Sequence, residues 1–248
     1  MGRLKSNIAI VTGGARGIGR AISVKLAKEG ALVYIFDIGD CGWTLEEIAQ
    51  NGDYAKAFNI DITNSIDVEN AINDVIELHR GIDILVNNAG VVSTHDNILS
   101  VSNDIWDKEI SVNLTATFYA SRAVLGKMIE QKSGKIINIS SLAGDTGRVQ
   151  TSPAYAAAKA AIYGLTMSMA RSVAEYGINV NAICPGIMLT DITKAYPEDV
   201  LDRLLSEVPY PRGGTPEDIA EAVLFLASQG SDYINGAKIR VNGGSWMG

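Results

Sequence analysis

Short, almost continuous apolar runs alternate along the chain with segments whose apolar residues recur every three or four positions. The runs read IAIVT, LVYIFD, DILVNN, KIINIS, INVNAIC and AKIRVN, with a weaker seventh at YAKAFNI. Strands that are apolar on both faces are typical of a parallel sheet, because helices cover such a sheet on each side. The pattern therefore predicts a doubly wound α/β fold with a seven-stranded parallel sheet flanked by helices.

The segments between these runs carry helix signals at their ends. Ile18, Ile22 and Leu26 repeat at helical spacing, and Gly30 follows them as a C-cap. No linker, low-complexity tract or internal repeat divides the chain. Residues 1–248 are therefore predicted to form a single domain.

The least regular part of the chain is the segment 185–214. It contains four of the six prolines and follows the sixth apolar run. Long connections at the carboxyl ends of parallel strands are where such folds place substrate contacts, so this segment is predicted to be a substrate lid. A plain surface excursion is the alternative.

Charge and composition narrow the classes of function. The net charge of −7 argues against nucleic acid and membrane surfaces as partners, because both need a basic face. The apolar stretches are interrupted by charge well short of the ~18 residues of a membrane span, and no signal-peptide pattern precedes the first strand. Cys41 and Cys184 lie far apart, and neither they nor His79 and His95 have metal-ligand spacing. We expect a soluble, cytoplasmic protein that acts on a small molecule without a metal.

A glycine-rich stretch, VTGGARGIGR, follows the first strand and opens the first helix. Gly13, Gly17 and Gly19 give a turn without side chains, so backbone N–H groups and a helix N-terminus can approach a pyrophosphate. A turn that only packs a helix closely on a strand is the alternative. Asp37 ends the second strand, where a carboxylate reaches the ribose hydroxyls of an adenosine. Asp61, at the next strand end, is predicted to contact adenine or to serve as a turn residue.

The stretch TSPAYAAAKAA places a phenol and an ammonium on one helix face, because Tyr155 and Lys159 are four residues apart. Ser152 and Pro153 are typical of an N-cap and a first helical position, so the pair lies in the first turns of the helix. A phenol with a pKa near ~10 needs about 3 units of stabilisation to ionise near pH 7, and a neighbouring ammonium acts in that direction. An ordinary exposed helix contact is the alternative for the pair alone.

Six motifs in this order resemble the short-chain dehydrogenase/reductase superfamily over the whole chain. They are TGGARGIG, NNAG at 87–90, Asn113 in SVNLTATF, ISS at 139–141, Tyr155 with Lys159, and PGIMLT at 185–190. The resemblance implies a Rossmann-type fold and an oxidoreductase that interconverts a secondary alcohol and a ketone with NAD(H). Tyr155 would then be the general acid/base and Lys159 its tuning cation and ribose ligand. Ser141 would orient the carbonyl, and Asn113 would hold a water path for protons.

The choice of Ser141 over its neighbour Ser140 rests on aligning SSLAG with the family pattern. Ser141 then lies fourteen positions before Tyr155, one more than is usual in the family. The extra residue falls in the following loop, DTGRVQTSP. We therefore expect this wall of the site to differ in shape from other members.

The resemblance also implies the remaining contacts of the site. The predicted cofactor-binding residues are Gly13, Arg16, Gly17, Ile18, Gly19, Asp37, Ile38, Asp61, Ile62, Asn88, Ala89, Gly90, Tyr155, Lys159, Pro185, Gly186, Met188 and Thr190. The predicted substrate contacts are Val92, Ser141, Ala143, Gln150, Tyr155 and Met188, with His95 a further candidate to overhang the site. These mostly apolar contacts include no evident anion clamp, which favours a neutral alcohol or ketone.

Two other functions stay open from the sequence. The stretch EVPYPRGGTPEDIAEAVLFLAS resembles bacterial 3-oxoacyl-[acyl-carrier-protein] reductases, which makes a 3-oxoacyl thioester reductase using NAD(P)H the first alternative. A non-catalytic dinucleotide-binding protein is the second, because a fold and a cofactor site do not establish turnover.

Cofactor choice and assembly complete the expectations. Arg16 is placed where similar proteins meet the 2′-phosphate of NADP, whereas Asp37 would repel that phosphate, so NAD(H) is predicted to be preferred. Family members are commonly tetramers whose long central helices pair. The helices predicted near 104–131 and 153–176 are therefore expected to form a homotetramer here.

Overall fold

The computed structural model describes residues 2–94, 97–147, 151–190, 193 and 198–248. Its strands are β1 (Ile8–Thr12), β2 (Leu32–Asp37), β3 (Ala55–Asn59), β4 (Ile84–Asn87), β5 (Gly134–Ile139), β6 (Ile178–Pro185) and β7 (Lys238–Val241). All pairings are parallel, in the order β3-β2-β1-β4-β5-β6-β7. The predicted Rossmann-type, doubly wound seven-stranded sheet is confirmed. The winding reverses between β1 and β4, where such sheets open a ligand crevice at their carboxyl ends.

Helices cover both faces of this sheet. The described helices are α1 (Gly17–Lys28), α2 (Gly42–Gln50), α3 (Ser65–His79), α4 (Asn103–Ile110), α5 (Ala116–Gln131), α6 (Ala143–Thr146), α7 (Pro153–Val173), α8 (Glu198–Ser206) and α9 (Pro216–Ala227). A π-helical turn over Ser111–Thr115 joins α4 to α5, and a 3₁₀ turn over Ala174–Tyr176 extends α7. The two long helices expected near 104–131 and 153–176 are therefore present, the first with a local change of winding.

Successive residues of the central strands point into two separate cores, as the apolar runs predicted. In β1, Ala9 and Val11 belong to the core that α1 and α9 cover, whereas Ile8 and Ile10 belong to the core under α3 and α5. Burial on both faces removes the alternation of polar and apolar residues seen in one-sided sheets. Within the described ranges, no helix combines the length and the apolar character that crossing a bilayer requires.

The segment 185–214 leaves the sheet after β6 and returns to its own starting point. Met188 and Gly214 form an isolated parallel bridge, in which the Leu189 N–H donates to the Gly214 carbonyl at 2.7 Å and the Gly214 N–H donates to the Ile187 carbonyl at 3.1 Å. The base of the segment is thus closed by backbone hydrogen bonds. Between the two ends lies α8, whose Leu204 is buried.

Asp218, in the first turn of α9, links that helix to the end of this segment. Its carboxylate accepts the Thr215 N–H at 2.8 Å and pairs with Arg212 through bonds of 2.6 and 2.8 Å. The hydrogen bond from Arg212 is the main reason that the pKa of Asp218 falls to about 2. An unfolded aspartate titrates near ~3.9, so ionised Asp218 stabilises the fold fully above that pH and loses its effect as the pH falls toward 2.

We therefore expect Asp218→Asn to lower the free energy of unfolding near neutral pH by about 1 kcal/mol, a figure reduced for the solvent screening of this partly exposed pair. The deficit relative to wild type should shrink as the pH is lowered from ~5 toward ~3. Denaturant titrations at several pH values measure it. Asp74→Asn, at an exposed position of α3, is the matched control. A D218N deficit that is the same at both ends of this pH range would contradict the assignment.

Candidate active site

A continuous cleft of about 1540 Å³ opens along the carboxyl ends of the strands. Its lining includes every cofactor and substrate residue predicted above that the structure describes, and three of the four predicted catalytic residues. The exception is Asn113, which is fully buried behind the cleft wall. Gln150 and His95 lie outside the described residues. Residues that are far apart in sequence are thus brought to one surface.

The glycine-rich turn is shaped by close approaches that a side chain would prevent. A Cβ at Gly19 would lie 1.9 Å from the carbonyl oxygen of Gly13, and one at Gly13, where φ is +69°, would lie 2.7 Å from the Cα of Ala89. The space beside Gly17, by contrast, is open. Arg16, the N-cap residue of α1, makes no side-chain cap, and the first turn of α1 holds no acidic residue. This open, uncapped helix start on the cleft fits a dinucleotide phosphate.

The part of this cleft beside the ends of β2 and β3 carries two carboxylates with different partners. Asp37 accepts the Ala15 N–H at 2.9 Å through one oxygen and the Gly39 N–H at 2.8 Å through the other. Asp61 accepts both the N–H and the hydroxyl of Thr63, at 2.9 and 2.7 Å, which lowers the pKa of that carboxyl. Asp61 therefore has the turn role left open by the sequence, and its position still lines the cleft.

Thr12 joins the glycine-rich turn to the NNAG motif, a role that the sequence interpretation missed. Its hydroxyl oxygen accepts the N–H groups of Asn88 and Ala89, each at 3.1 Å. The Asn88 side-chain amide donates in return to the carbonyls of Thr12 and Gly13, at 3.0 and 2.9 Å. The two loops at the switch point therefore form one hydrogen-bonded unit. The only signal was a threonine between a strand and a glycine pair.

Tyr155 and Lys159 lie in the first turns of α7, as predicted. Ser152 is the N-cap, and its hydroxyl oxygen accepts the Ala154 N–H at 3.2 Å. The Lys159 side chain is buried, with Nζ donating to the Ile139 carbonyl at 2.9 Å and lying 5.8 Å from the centroid of the Tyr155 ring. Burial lowers the pKa of Lys159 to about 8. The phenol thus has a buried ammonium as its neighbour.

Ser140 and Ser141 differ in their hydrogen bonding. The Ser140 hydroxyl donates to the Lys159 carbonyl at 2.7 Å, so it ties β5 to α7. Among the residues that the structure describes, the Ser141 oxygen accepts the Ala143 N–H at 3.2 Å and its hydroxyl donates to none, so the hydroxyl hydrogen is left for another acceptor. The hydroxyl hydrogen of Ser140 is thus used within the protein, whereas both serines line the cleft, and the choice of Ser141 stays a prediction.

Asn113 lies in the π-helical turn and holds the loop that follows NNAG. Its amide donates to the carbonyls of Val91 and Glu109, at 2.8 and 2.9 Å, and its oxygen accepts the Val91 N–H at 3.2 Å. A Cβ at Gly90 would lie 2.7 Å from the same oxygen and 3.5 Å from Lys159 Nζ. A side chain at this position would have to displace the Asn113 amide, so a glycine suits the close approach of the loop to these groups.

Several cleft residues came from elements in which the sequence showed no motif. Lys108 of α4 and Arg203 of α8 line the cleft, as do Leu204, Glu207 and Trp246. The sequence interpretation named mostly apolar substrate contacts with no evident anion clamp, and it did not include these two cations among the residues of the cleft. Both cations stand on exposed, amphipathic helix faces, where a lysine or an arginine gives no sequence signal of its own.

Comparisons with known proteins agree over the whole chain. A family model described as enoyl-(acyl carrier protein) reductase matches residues 13–245. The 3-oxoacyl-[acyl-carrier-protein] reductase of Vibrio cholerae is 42% identical over 98% of this chain and 99% of its own length. The protein of the same name from Aquifex aeolicus is 39% identical over 98% of each.

Solved structures give the same picture at slightly lower identity. A protein from Agrobacterium tumefaciens proposed to be a 2-deoxy-D-gluconate 3-dehydrogenase, with bound NADP, has a TM-score of 0.91 at 37% identity, covering 98% of this chain and 97% of its own. A protein from Burkholderia xenovorans proposed to be a short-chain dehydrogenase/reductase has a TM-score of 0.94 at 33% identity, covering 99% and 98%. The similar proteins thus share the fold but differ in the substrates that their names give.

Proposed function

The chain belongs to the short-chain dehydrogenase/reductase family, and on that premise we propose that it is an oxidoreductase that interconverts a secondary alcohol and a ketone with a nicotinamide dinucleotide. The observation that carries the proposal is that Ser141, Tyr155 and Lys159 line the same cleft as the glycine-rich turn. NADP in the similar Agrobacterium structure supports a nicotinamide dinucleotide here as well. Among the two dinucleotides, we propose NAD(H), because of Asp37.

Different residues of the cleft would bind different parts of the dinucleotide. The uncapped start of α1 with Gly17 and Ile18 would hold the pyrophosphate, and Asp37 would accept hydrogen bonds from the adenosine ribose. Asn88, Ala89 and Gly90 would follow the middle of the dinucleotide. The further contacts proposed are Ile38, Asp61 and Ile62 at adenine, and Pro185, Gly186, Met188 and Thr190 around the nicotinamide.

When bound, the oxidised nicotinamide would supply a hydride acceptor, which takes the hydrogen of the alcohol C–H bond with both electrons, while the O–H proton would go to the protein. Tyr155 would take that proton as a tyrosinate in the oxidation and return it in the reduction. The buried Lys159 ammonium would stabilise the tyrosinate, and the Ser141 hydroxyl would donate to the substrate oxygen. Asn113 would keep the loop at Val91 in place beside the reacting groups.

Two substrate classes are supported by different observations. The mostly apolar inner contacts Val92, Ala143 and Met188 favour a neutral alcohol or ketone. The names of the curated relatives, at 39% to 42% identity, favour a 3-oxoacyl thioester instead. A long cleft that continues to Leu204 of α8 gives room for an extended acyl chain and supports the second class.

A substrate panel tests both classes with the purified protein. It combines secondary alcohols, polyols, a sugar acid and 3-hydroxyacyl thioesters with the oxidised cofactor, and the matching ketones and 3-oxoacyl thioesters with the reduced one, followed by the absorbance of the reduced nicotinamide. Turnover of thioesters with little on simple alcohols would replace the neutral class by the thioester class. Binding of NADH and NADPH without turnover of any compound would support a non-catalytic dinucleotide-binding protein instead.

Assembly and location extend the proposal. We expect a homotetramer in which the helices around 103–131 and 153–176 pair with those of neighbouring copies, and we place the protein in the cytoplasm. Phe118 and Met167 on these helices are partly exposed apolar side chains that such pairing would bury. Light scattering at micromolar concentration should give about four times the chain mass, and a mass near 26.4 kDa would contradict the prediction.

A further inference from the structure

A buried carboxylate lies behind the predicted catalytic wall. Glu109, near the end of α4, is only 1% exposed. One carboxylate oxygen accepts the Ser93 N–H at 2.6 Å, and the other is buried without a hydrogen-bond partner among the residues that the structure describes. Burying a carboxyl group is costly, so a carboxyl group that holds a single amide calls for a reason beyond packing.

The amide that Glu109 holds is connected directly to the start of α7. The carbonyl of Ser93 accepts the N–H of Ser152 at 3.1 Å, and Ser152 is the N-cap of that helix. Tyr155 is the third residue of α7. Two successive hydrogen bonds therefore run from the Glu109 carboxylate through the Ser93 peptide to the cap of the helix that carries the phenol.

The other end of the same loop is held by the next turn of the same helical segment. Asn113 makes two hydrogen bonds to Val91, and its amide also donates to the carbonyl of Glu109 at 2.9 Å. Residues 109 and 113 are four apart and share a helix face, so together they fix both ends of the loop segment Val91–Ser93. The π-helical turn begins between them, and such turns are common at functional sites.

We propose that Glu109 is a positioning residue for Tyr155. Its carboxylate fixes the Val91–Ser93 loop, and the Ser93 carbonyl in turn fixes the first turn of α7 relative to the cleft. This inference rests on the proposed function at one point, the role of Tyr155 in proton transfer. A displacement of about 1 Å at a reacting group can lower a rate by as much as ~100-fold, so loss of this anchor should act on turnover.

Two substitutions at Glu109 distinguish a role in positioning Tyr155 from a role in packing alone. Glu109→Gln keeps an oxygen that accepts the Ser93 N–H, whereas Glu109→Leu keeps a similar volume without an acceptor. E109L should lower kcat about tenfold and leave the KM for the cofactor within about twofold, because Ser93, the residue that Glu109 holds, is not among the residues that line the cleft. E109Q should have a kcat and a cofactor KM close to those of wild type. Asp107→Asn, at an exposed acid of the same helix, is the control and should change nothing.

Amide hydrogen exchange gives a readout that needs no turnover. E109L should speed exchange in peptides covering Val91–Ser93 and the first turn of α7, and E109Q should not. If E109L fails to fold, Glu109→Asp takes its place, because it withdraws the carboxylate by one methylene, and the same pattern is expected. Unchanged kcat or unchanged exchange in the α7 peptide would overturn the inference, as would an E109Q as impaired as E109L. If the wild-type protein shows no turnover, the proposed function is wrong, but the positioning role of Glu109 is still tested by the hydrogen-exchange comparison.

Discussion

Replacing Tyr155 with phenylalanine is expected to lower kcat/KM by at least ~100-fold, the lower range for a positioned acid or base. The phenol is the titratable hydroxyl beside the buried Lys159 ammonium, whose Nζ lies 5.8 Å from the centre of the ring. Phenylalanine keeps the ring and its packing but cannot carry the proton. Cofactor affinity, followed by fluorescence titration, should stay within about twofold of wild type, because most of the dinucleotide contacts lie elsewhere in the cleft.

Tyr163 supplies the matched control on the same helix. It lies two turns further along α7, outside the residues that line the cleft, and its ring is 4.7 Å from Lys238 Nζ. Tyr163→Phe keeps that ring and the cation–π contact, so both kcat/KM and cofactor affinity should match wild type. Activity of Y155F above a tenth of wild type, with Y163F unchanged, would remove Tyr155 from the proton-transfer step.

The fold could be predicted from the sequence because its information is local. Each apolar run is a buried parallel strand, and the start of α7 is marked by the N-cap Ser152 followed by Pro153. The order of the strands could not be predicted in this way, because nothing in an apolar run indicates which other run it pairs with in the sheet. That order was not predicted and is seen in the folded chain. The change to π-helical winding over Ser111–Thr115 had no signal in the residue types.

The residues of the site fall into the same two groups, those that a local sequence pattern predicts and those that only the folded chain reveals. The glycines of the glycine-rich turn, Tyr155 and Lys159 could be predicted because each belongs to a short motif with a recognisable spacing. Lys108 and Arg203 could not, since they line the cleft from two helices, α4 and α8, that are far apart in the sequence. Glu109 was missed for a related reason, because an acid between a lysine and an isoleucine in WDKEI reads as part of a solvated helix face until burial is known.

Asp37→Ala is expected to shrink a preference for NAD(H) over NADP(H), and the double substitution Asp37→Ala with Ile38→Arg should tend to reverse it. A 2′-phosphate near the Asp37 carboxylate would meet a like charge, at a cost on the order of 1 to 4 kcal/mol at an intermediate dielectric, or roughly tenfold or more in affinity. Ile38 is 71% exposed at the same strand end, so an arginine there has room to reach a phosphate. In the described residues, no ion pair joins Arg16 to Asp37, which leaves the carboxylate charge uncompensated by that side chain.

The ratio of kcat/KM values with NADH and NADPH is the measurement that decides this prediction. Asp37 also accepts the Ala15 and Gly39 amides, so its loss will loosen the glycine-rich turn and lower activity with both cofactors. The ratio cancels that shared loss, because both dinucleotides use the same pyrophosphate contacts. Asp40→Ala is the control, since this exposed acid lies three residues on and does not line the cleft, and it should leave the ratio unchanged. A wild-type kcat/KM with NADPH that equals or exceeds the value with NADH would show that Asp37 does not select the cofactor.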